Sequence, residues 1–250
     1  MKIVDNRALG ILQARMSSTR LPGKVLKKIN GLPMLQIQLE RIKRASSINQ
    51  LIVATSLNVD DQPIYDFCKQ TQTDVFRGSL ENVFDRFSKI IEEHDGNYVI
   101  RLTGDCPLFM PDLCDEMFTQ FLSKDFDYYS NTLKPTYPDG LDIEIFKKSA
   151  FEELKRNYLT AQELEHVTLG FYSRQNQFKC GNHENTYDLS NLRWTVDTQE
   201  DFEFISWVYA KFRGSEAQIE MSDILRLLES EPEMSNIDSG FQRNSKLKGQ

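Results

Sequence analysis

The sequence predicts an α/β fold: a mostly parallel sheet with helices on both faces. Three observations carry that expectation. Short apolar runs alternate with amphipathic stretches of helical length, the order that parallel sheets with covering helices produce. The earliest apolar run, Ala8–Leu12, is uninterrupted, as a strand buried on both faces would be. The 250 residues, 40% of them hydrophobic, suffice for one large core.

The elements follow in order. Ala8–Ala14 reads as the first strand. Pro33–Arg44 opens with a helix-starting proline and spaces Leu35, Leu39 and Ile42 for one face. Gln50–Thr55 is a second strand. Asp60-Asp61 supplies a cap, and Pro63 sits in the first turn of a helix reaching about Gln70. Asp74–Arg77 is a short strand, and Ser79 is read as the cap of a helix to His94 carrying Val83, Phe84, Phe87, Ile90 and Ile91. Asn97–Thr103 is the fourth strand. A helix after Asp112, a strand at Tyr128–Asn131 and another at Leu141–Phe146 come next. Between those two strands, Leu133–Gly140 holds two prolines and a Pro-Asp-Gly turn, a loop of functional character. Helices are expected at Ser149–Asn157 and Ala161–Gln175, and a strand at Leu192–Val196. Thr198 should cap a helix to Phe212 with Asp201 in its first turn, and Ser222–Glu229 is a last helix. One domain is expected over residues 1–230. Residues 231–250 are polar and charged, and read as a disordered tail.

Charge and cysteine content exclude several classes. A net charge of −7 argues against a nucleic-acid partner. No apolar run approaches the roughly 20 residues of a membrane span, and the N-terminus does not read as a signal peptide, so a cytoplasmic protein without a membrane partner is expected. Cys68, Cys106, Cys114 and Cys180 form no Cys-x-x-Cys pair and read as reduced thiols.

The chemistry concentrates in the loop after the first strand. Arg15-Met-Ser-Ser-Thr-Arg20-Leu-Pro-Gly-Lys24 delivers hydroxyls, two guanidinium forks and an ammonium to a strand end, a set suited to polyphosphate. It is not a Walker A loop, since Ser18 and Val25 stand where Gly and Ser/Thr are needed. Nor is it a dinucleotide fingerprint, since only Gly23 lies inside it. Asp105, directly after the fourth strand and beside Gly104, is a natural magnesium ligand. Asp197 ends a later strand and competes with a helix-capping role.

The motifs Ala14-Arg15, Ser18–Lys24, Gly31–Leu35, Val53–Ser56, Phe76–Ser79, Val83–Arg86, Arg101–Leu108, Pro138–Asp142, Glu165–Thr168 and Trp194–Thr198 together resemble the CMP-KDO synthetase and acylneuraminate cytidylyltransferase superfamily. Within it the chain is most similar to the SpsF branch of spore-coat polysaccharide synthesis. The resemblance spans about the first 210 residues. It implies a Rossmann-like mixed sheet of the nucleotide-diphospho-sugar transferase type. It also implies a cytidylyltransferase that moves CMP from CTP onto a sugar, sugar acid or sugar phosphate, with release of pyrophosphate. Relatives of this kind are often dimers built on their C-terminal helices, so a homodimer is among the expectations.

The resemblance implies site roles. Asp105 and Asp197 would hold Mg²⁺. Arg15 and Lys24 would hold the triphosphate, with Arg20 a third contact and Ala14, Ser18 and Thr19 completing the nucleotide loop. Arg86 would touch base or ribose, against the reading of a helix-surface arginine; Thr103 would touch the base, against a strand-interior threonine. Asp139, Asp142 and Glu144 would orient acceptor hydroxyls or else be solvated, Asp142 and Glu144 sharing one strand face. His166, read as lying within an amphipathic helix, is an acceptor contact or a packing residue. One departure is clear: KDO-type enzymes carry Glu after the metal aspartate, where this chain has Cys106. The alternatives are a UTP- or GTP-dependent sugar-1-phosphate enzyme, a glycosyltransferase using Asp125-Phe126-Asp127, and a non-catalytic nucleotide-binding protein.

Overall fold

The computed structural model describes residues 8–236. Strand β1 (Ala8–Gln13) sits in the middle of the main sheet because its alternate side chains feed two cores. Ala8 and Leu12 join one apolar cluster, Leu9 and Ile11 the other.

The chain continues through β2 (Lys28–Ile29) and β3 (Leu32–Pro33), α1 (Met34–Ile42), β4 (Ile48–Ser56), α2 (Gln62–Gln70), β5 (Asp74–Gly78), α3 (Val83–Glu93), β6 (Tyr98–Thr103) and α4 (Pro111–Lys124). Then follow β7 (Tyr128–Ser130), β8 (Glu144–Lys147), α5 (Lys148–Lys155), α6 (Ala161–Glu165), α7 (Leu169–Tyr172), β9 (Cys180–Asn182), α8 (Gln199–Lys211) and α9 (Met221–Ser230). The main sheet has the order β5-β4-β1-β6-β8-β7-β9, with β8 antiparallel to both its neighbours and every other pairing parallel. It is the mixed, mostly parallel sheet that the sequence predicts.

Helices α1, α2, α4, α8 and α9 pack on one face, and α3, α5, α6 and α7 on the other. On the second face Phe84 of α3 stacks on Phe151 of α5 with ring centroids 4.4 Å apart. Burying each such side chain contributes about 2–3 kcal/mol. The chain first adds strands on one side of β1 (β4, β5) and then on the other (β6). The carboxyl ends of β1 and β6 therefore flank the point of reversal, where open α/β sheets leave a crevice.

Several expectations are corrected. The hairpin β2–β3 was not foreseen, although Asn30-Gly31 at its tip, both at positive φ (51° and 88°), is a strong hairpin signal. Asn82, not Ser79, caps α3, accepting from the Asp85 amide at 2.8 Å; Ser79 Oγ accepts from the Asn82 amide instead. The expected helix 161–175 is two short ones, broken at His166, whose ψ of 72° leaves the helical region. His166 is thus a helix-ending residue. Residues 192–196 form no strand of the sheet; Arg193 makes one isolated parallel bridge to Asp139, itself outside the strands. Strand β9, only three residues long and without apolar alternation, gave no sequence signal. Of the expected tail, Pro232–Asn236 form a short 3-10 helix, and residues 237–250 lie outside the described residues.

Candidate active site

The loop after β1 is shaped by contacts remote in sequence. Gly23, at φ 70°, starts the 3-10 turn Lys24–Leu26, and its amide bonds to Met16 O at 2.9 Å, closing the loop on itself. From outside, Asp61 Oδ1 accepts from the Met16 amide at 2.6 Å, while Oδ2 takes the Ser56 hydroxyl and amide. Asp61, 1% exposed, therefore ties the β1 loop to the end of β4 and makes no side-chain cap bond to α2, contrary to the expected capping role.

The turn buries Lys24 and aims it at the two expected metal ligands. Lys24 Nζ donates to Val196 O at 2.6 Å, Asp197 Oδ1 at 2.9 Å and Asp105 Oδ2 at 3.3 Å. Two carboxylates 92 positions apart in sequence thus converge on a single ammonium. Asp105 is brought there by a close crossing: the Gly104 amide bonds to Gln13 O at 2.8 Å, and a Cβ on Gly104 would lie 3.2 Å from that of Ala14. The 195–196 segment is then pinned to Asp105 O through the Val196 amide (2.8 Å) and the Thr195 hydroxyl (3.2 Å).

Asp197 is held from its other side as well. Its Oδ2 receives Arg20 Nη2 at 2.8 Å and Arg193 Nη2 at 3.1 Å. Arg193 also grips Asp201 and reaches Asp139 Oδ2 at 2.9 Å. Gly140, at φ 110°, presses its backbone against Thr195, where a Cβ would come within 2.4 Å of the Thr195 nitrogen. The Pro-Asp-Gly turn is therefore joined to the Asp197 segment by both backbone and charge. Arg193 was not foreseen: Asp197 and Asp201 stand four and eight positions on, but a strand reading of 192–196 does not fold them back onto it, and Asp139 is 54 positions away.

The electrostatics keep this cluster ionised. Burial opposes the charge on Asp105 and Asp197, yet Lys24 beside both holds their carboxyls below the ordinary value; Arg20 adds to this at Asp197, and the Thr103 hydroxyl at Asp105. Burial likewise disfavours the Lys24 ammonium, but the two carboxylates raise it above its ordinary value. Cys106, buried among Asp105, Asp142 and Asp139, has its thiol pushed well up, which makes it a poor nucleophile.

Ala14, Arg15, Ser18, Thr19, Arg20, Lys24, Thr103, Asp105 and Asp197 line one cavity of about 190 Å³ at the ends of β1 and β6. Arg86 is 2% exposed and is not among the residues that line this cavity; its burial excludes the helix-surface reading. Its Nη1 reaches Ala54 O at 3.5 Å and its Nε has no hydrogen-bond partner. Burial brings its guanidinium down to about 10, with Asp61 opposing and Arg15 adding to the shift. Asp139 is paired with Arg193, and Asp142 lies near Cys106.

Glu144 is a correction. It is 8% exposed and faces the second core, where Tyr128 Oη (2.6 Å) and Thr168 Oγ1 (2.5 Å) donate to Oε1 and Arg101 pairs with Oε2. Strand alternation gave its face, but α6 and α7 cover that face, so neither a solvated nor an acceptor-binding carboxylate describes it. His166 is half-buried, and among the described residues its side chain makes no ring contact or hydrogen bond. Asp125 and Asp127 pair with Lys147 at the start of β7, the end of the sheet away from the cavity, which removes the support for a glycosyltransferase metal motif.

A family model for cytidylyltransferases matches residues 9–233. An uncharacterized protein of Methanocaldococcus jannaschii is 33% identical over 96% of this chain and 97% of its own length. The spore coat polysaccharide biosynthesis protein SpsF of Bacillus subtilis is 34% identical over 91% of this chain and 96% of its own. Among solved structures, a cytidylyltransferase from Leptospira borgpetersenii superposes with a TM-score of 0.86 at 30% identity, covering 94% of this chain and all of that one.

Proposed function

The chain belongs to the cytidylyltransferase family, and we propose that it moves CMP from CTP onto a sugar, sugar acid or sugar phosphate for surface-glycan synthesis, releasing pyrophosphate. The observation that carries this reading is the convergence of the basic loop with Asp105 and Asp197 through Lys24. The similarity to SpsF supports a polysaccharide setting. Among the described residues no helix is long and apolar enough to cross a membrane.

The donor set fits a magnesium ion. Both groups are carboxylates, hard oxygen donors held ionised at one wall of the cavity, and magnesium takes one or two carboxylates together with substrate phosphate oxygens. Asp105 and Asp197 would hold it, and when bound it supplies neutralisation of the charge that grows on the α-phosphate.

The chain's own residues do the rest. Arg15, Arg20 and Lys24 offer two forks and a point charge to the β- and γ-phosphates, which favours departure of pyrophosphate. Ser18 and Thr19 offer hydroxyls to the same oxygens, and Thr103 offers one at the end of β6. Arg86, buried and near enough to Arg15 for their charges to interact, adds positive potential toward the nucleotide. The acceptor approaches from the Asp139–Asp142 side, where Arg193 holds Asp139 and ties that turn to Asp197. Pyrophosphate release measured with CTP, UTP, GTP and ATP in turn, with and without candidate sugars, tests the reading. CTP is expected to be the preferred donor, and turnover with UTP or GTP alone would overturn it.

A further inference from the structure

Lys24 has no donor to spare. An ammonium carries three N–H groups, and those of Lys24 go to Val196 O, Asp197 Oδ1 and Asp105 Oδ2. A phosphate oxygen can accept from Nζ only when one of these acceptors gives way. The Val196 carbonyl belongs to a backbone segment pinned by the bond from its own amide to Asp105 O at 2.8 Å. The ammonium ends a flexible four-carbon stem, so Nζ can keep the Val196 carbonyl and swing off the two carboxylates, and those are the bonds that yield. A divalent cation faces the converse obstacle. It needs carboxylate oxygens at about 2.0–2.1 Å, and the ammonium already occupies the space between them, with a like charge that repels at such short range.

We propose that Lys24 couples the two ligands of this site by exchanging partners: a nucleoside triphosphate draws the ammonium off Asp105 and Asp197, and the carboxylates so released receive a divalent cation. The proposal rests on the reading of Asp105 and Asp197 as cation ligands. Without the triphosphate, Lys24 keeps the cation out. Because coupling is reciprocal, the cation strengthens triphosphate binding by the same factor. Arg20, on the outer oxygen of Asp197 and 37% exposed, acts in the same sense from the solvent side. The arrangement keeps the site from filling with a cation that has no phosphate to act on.

The test uses the full chain and Mn²⁺ as probe, with free Mn²⁺ read by electron paramagnetic resonance in the absence of nucleotide. Lys24→Met is expected to bind Mn²⁺ at least about tenfold more tightly than the wild type, and Lys24→Gln, which keeps a polar end, is expected to follow it. Adding Asp105→Asn to Lys24→Met is expected to abolish the gain. Equal Mn²⁺ binding by wild type and both Lys24 variants overturns the coupling while leaving the cation site standing, and so does a gain that survives Asp105→Asn. Absence of Mn²⁺ binding in every variant, with or without CTP, overturns the ligand reading itself and the proposal with it. Should circular dichroism show the Lys24 variants unfolded, calorimetry of CTP binding to the wild type decides: affinity is expected to rise at least about tenfold with Mn²⁺, and an unchanged affinity overturns the proposal.

Discussion

Arg193 closes a two-bonded fork on Asp201: Nε reaches Oδ1 and Nη2 reaches Oδ2, each at 3.0 Å. Asp201 in turn accepts from the Asp197 amide at 2.8 Å, so the pair holds Asp197 by its backbone while Arg193 also holds its carboxylate. Replacing Arg193 with Lys keeps the charge but loses the fork, which a point charge cannot reproduce. Asp197 then loses its fixed angle. The expected outcome is a kcat about 10- to 100-fold lower with a smaller change in KM for CTP, measured by steady-state pyrophosphate release. An unchanged kcat would show that the fork is structural only.

Asp105→Asn separates chemistry from folding. The contacts that Asp105 makes to the 195–196 segment come from its backbone carbonyl, which the substitution leaves in place. Its side chain meets Lys24 and the cavity. Turnover is therefore expected to fall by about 10³-fold or more, with the melting temperature little changed. Pyrophosphate release persisting at near wild-type rates would remove Asp105 from the reaction.

Asp61→Asn should act on the nucleotide loop from a distance. The carboxylate accepts from Met16, from the Ser56 amide and from the Ser56 hydroxyl, and it supplies negative charge near Arg86. An amide group turns one acceptor into a donor facing N–H groups and removes that charge. A cost of about 2–4 kcal/mol in urea unfolding is expected, together with a raised KM for CTP as the β1 loop loosens. Wild-type stability in that variant would mean that the loop holds its shape through Gly23 and Met16 alone.

The residues legible in the sequence were those whose role follows from local position. Lys24 stands in the basic loop after β1 and Asp105 directly follows β6, so both are legible from their neighbours, whereas the pairing of Asp197 with Asp105 comes from the family resemblance alone. Asp61 was misread as a cap because its true partner, Met16, lies 45 positions away. Arg193 meets Asp197 and Asp201 only four and eight positions on, but what joins it to the Pro-Asp-Gly turn, Asp139, lies 54 positions earlier and is invisible locally. Glu144 shows a different limit: a period of two assigns a face but not what covers it, and here Tyr128 and Thr168 close over the carboxylate. The break at His166 follows from tertiary pairing, since Arg174 folds back onto Glu163 and turns the chain where helical periodicity alone would continue it.

That pairing gives the last prediction. Arg174 beside Glu163, helped by the Thr160 amide and hydroxyl and opposed by burial, brings the Glu163 carboxyl from 4.5 down to about 2. The group's folded value lies below its unfolded one, so its stabilising contribution is complete above about 4.5 and is lost as pH falls toward 2. Glu163→Gln removes the ionisation and the Arg174 pair with it. Near neutral pH the variant is expected to be less stable than the wild type by about 1–2 kcal/mol. Other carboxylates titrate in the same acid range, so the informative quantity is the gap between the two proteins. In urea unfolding at about pH 6.5, 4.5 and 3, that gap should change little between the first two and narrow clearly at the third, as the Glu163 carboxylate of the wild type takes up its proton. A gap that stays constant with pH would mean that the α6–α7 turn is held by packing of Leu164 and Phe171 against the second core, with the ion pair adding nothing.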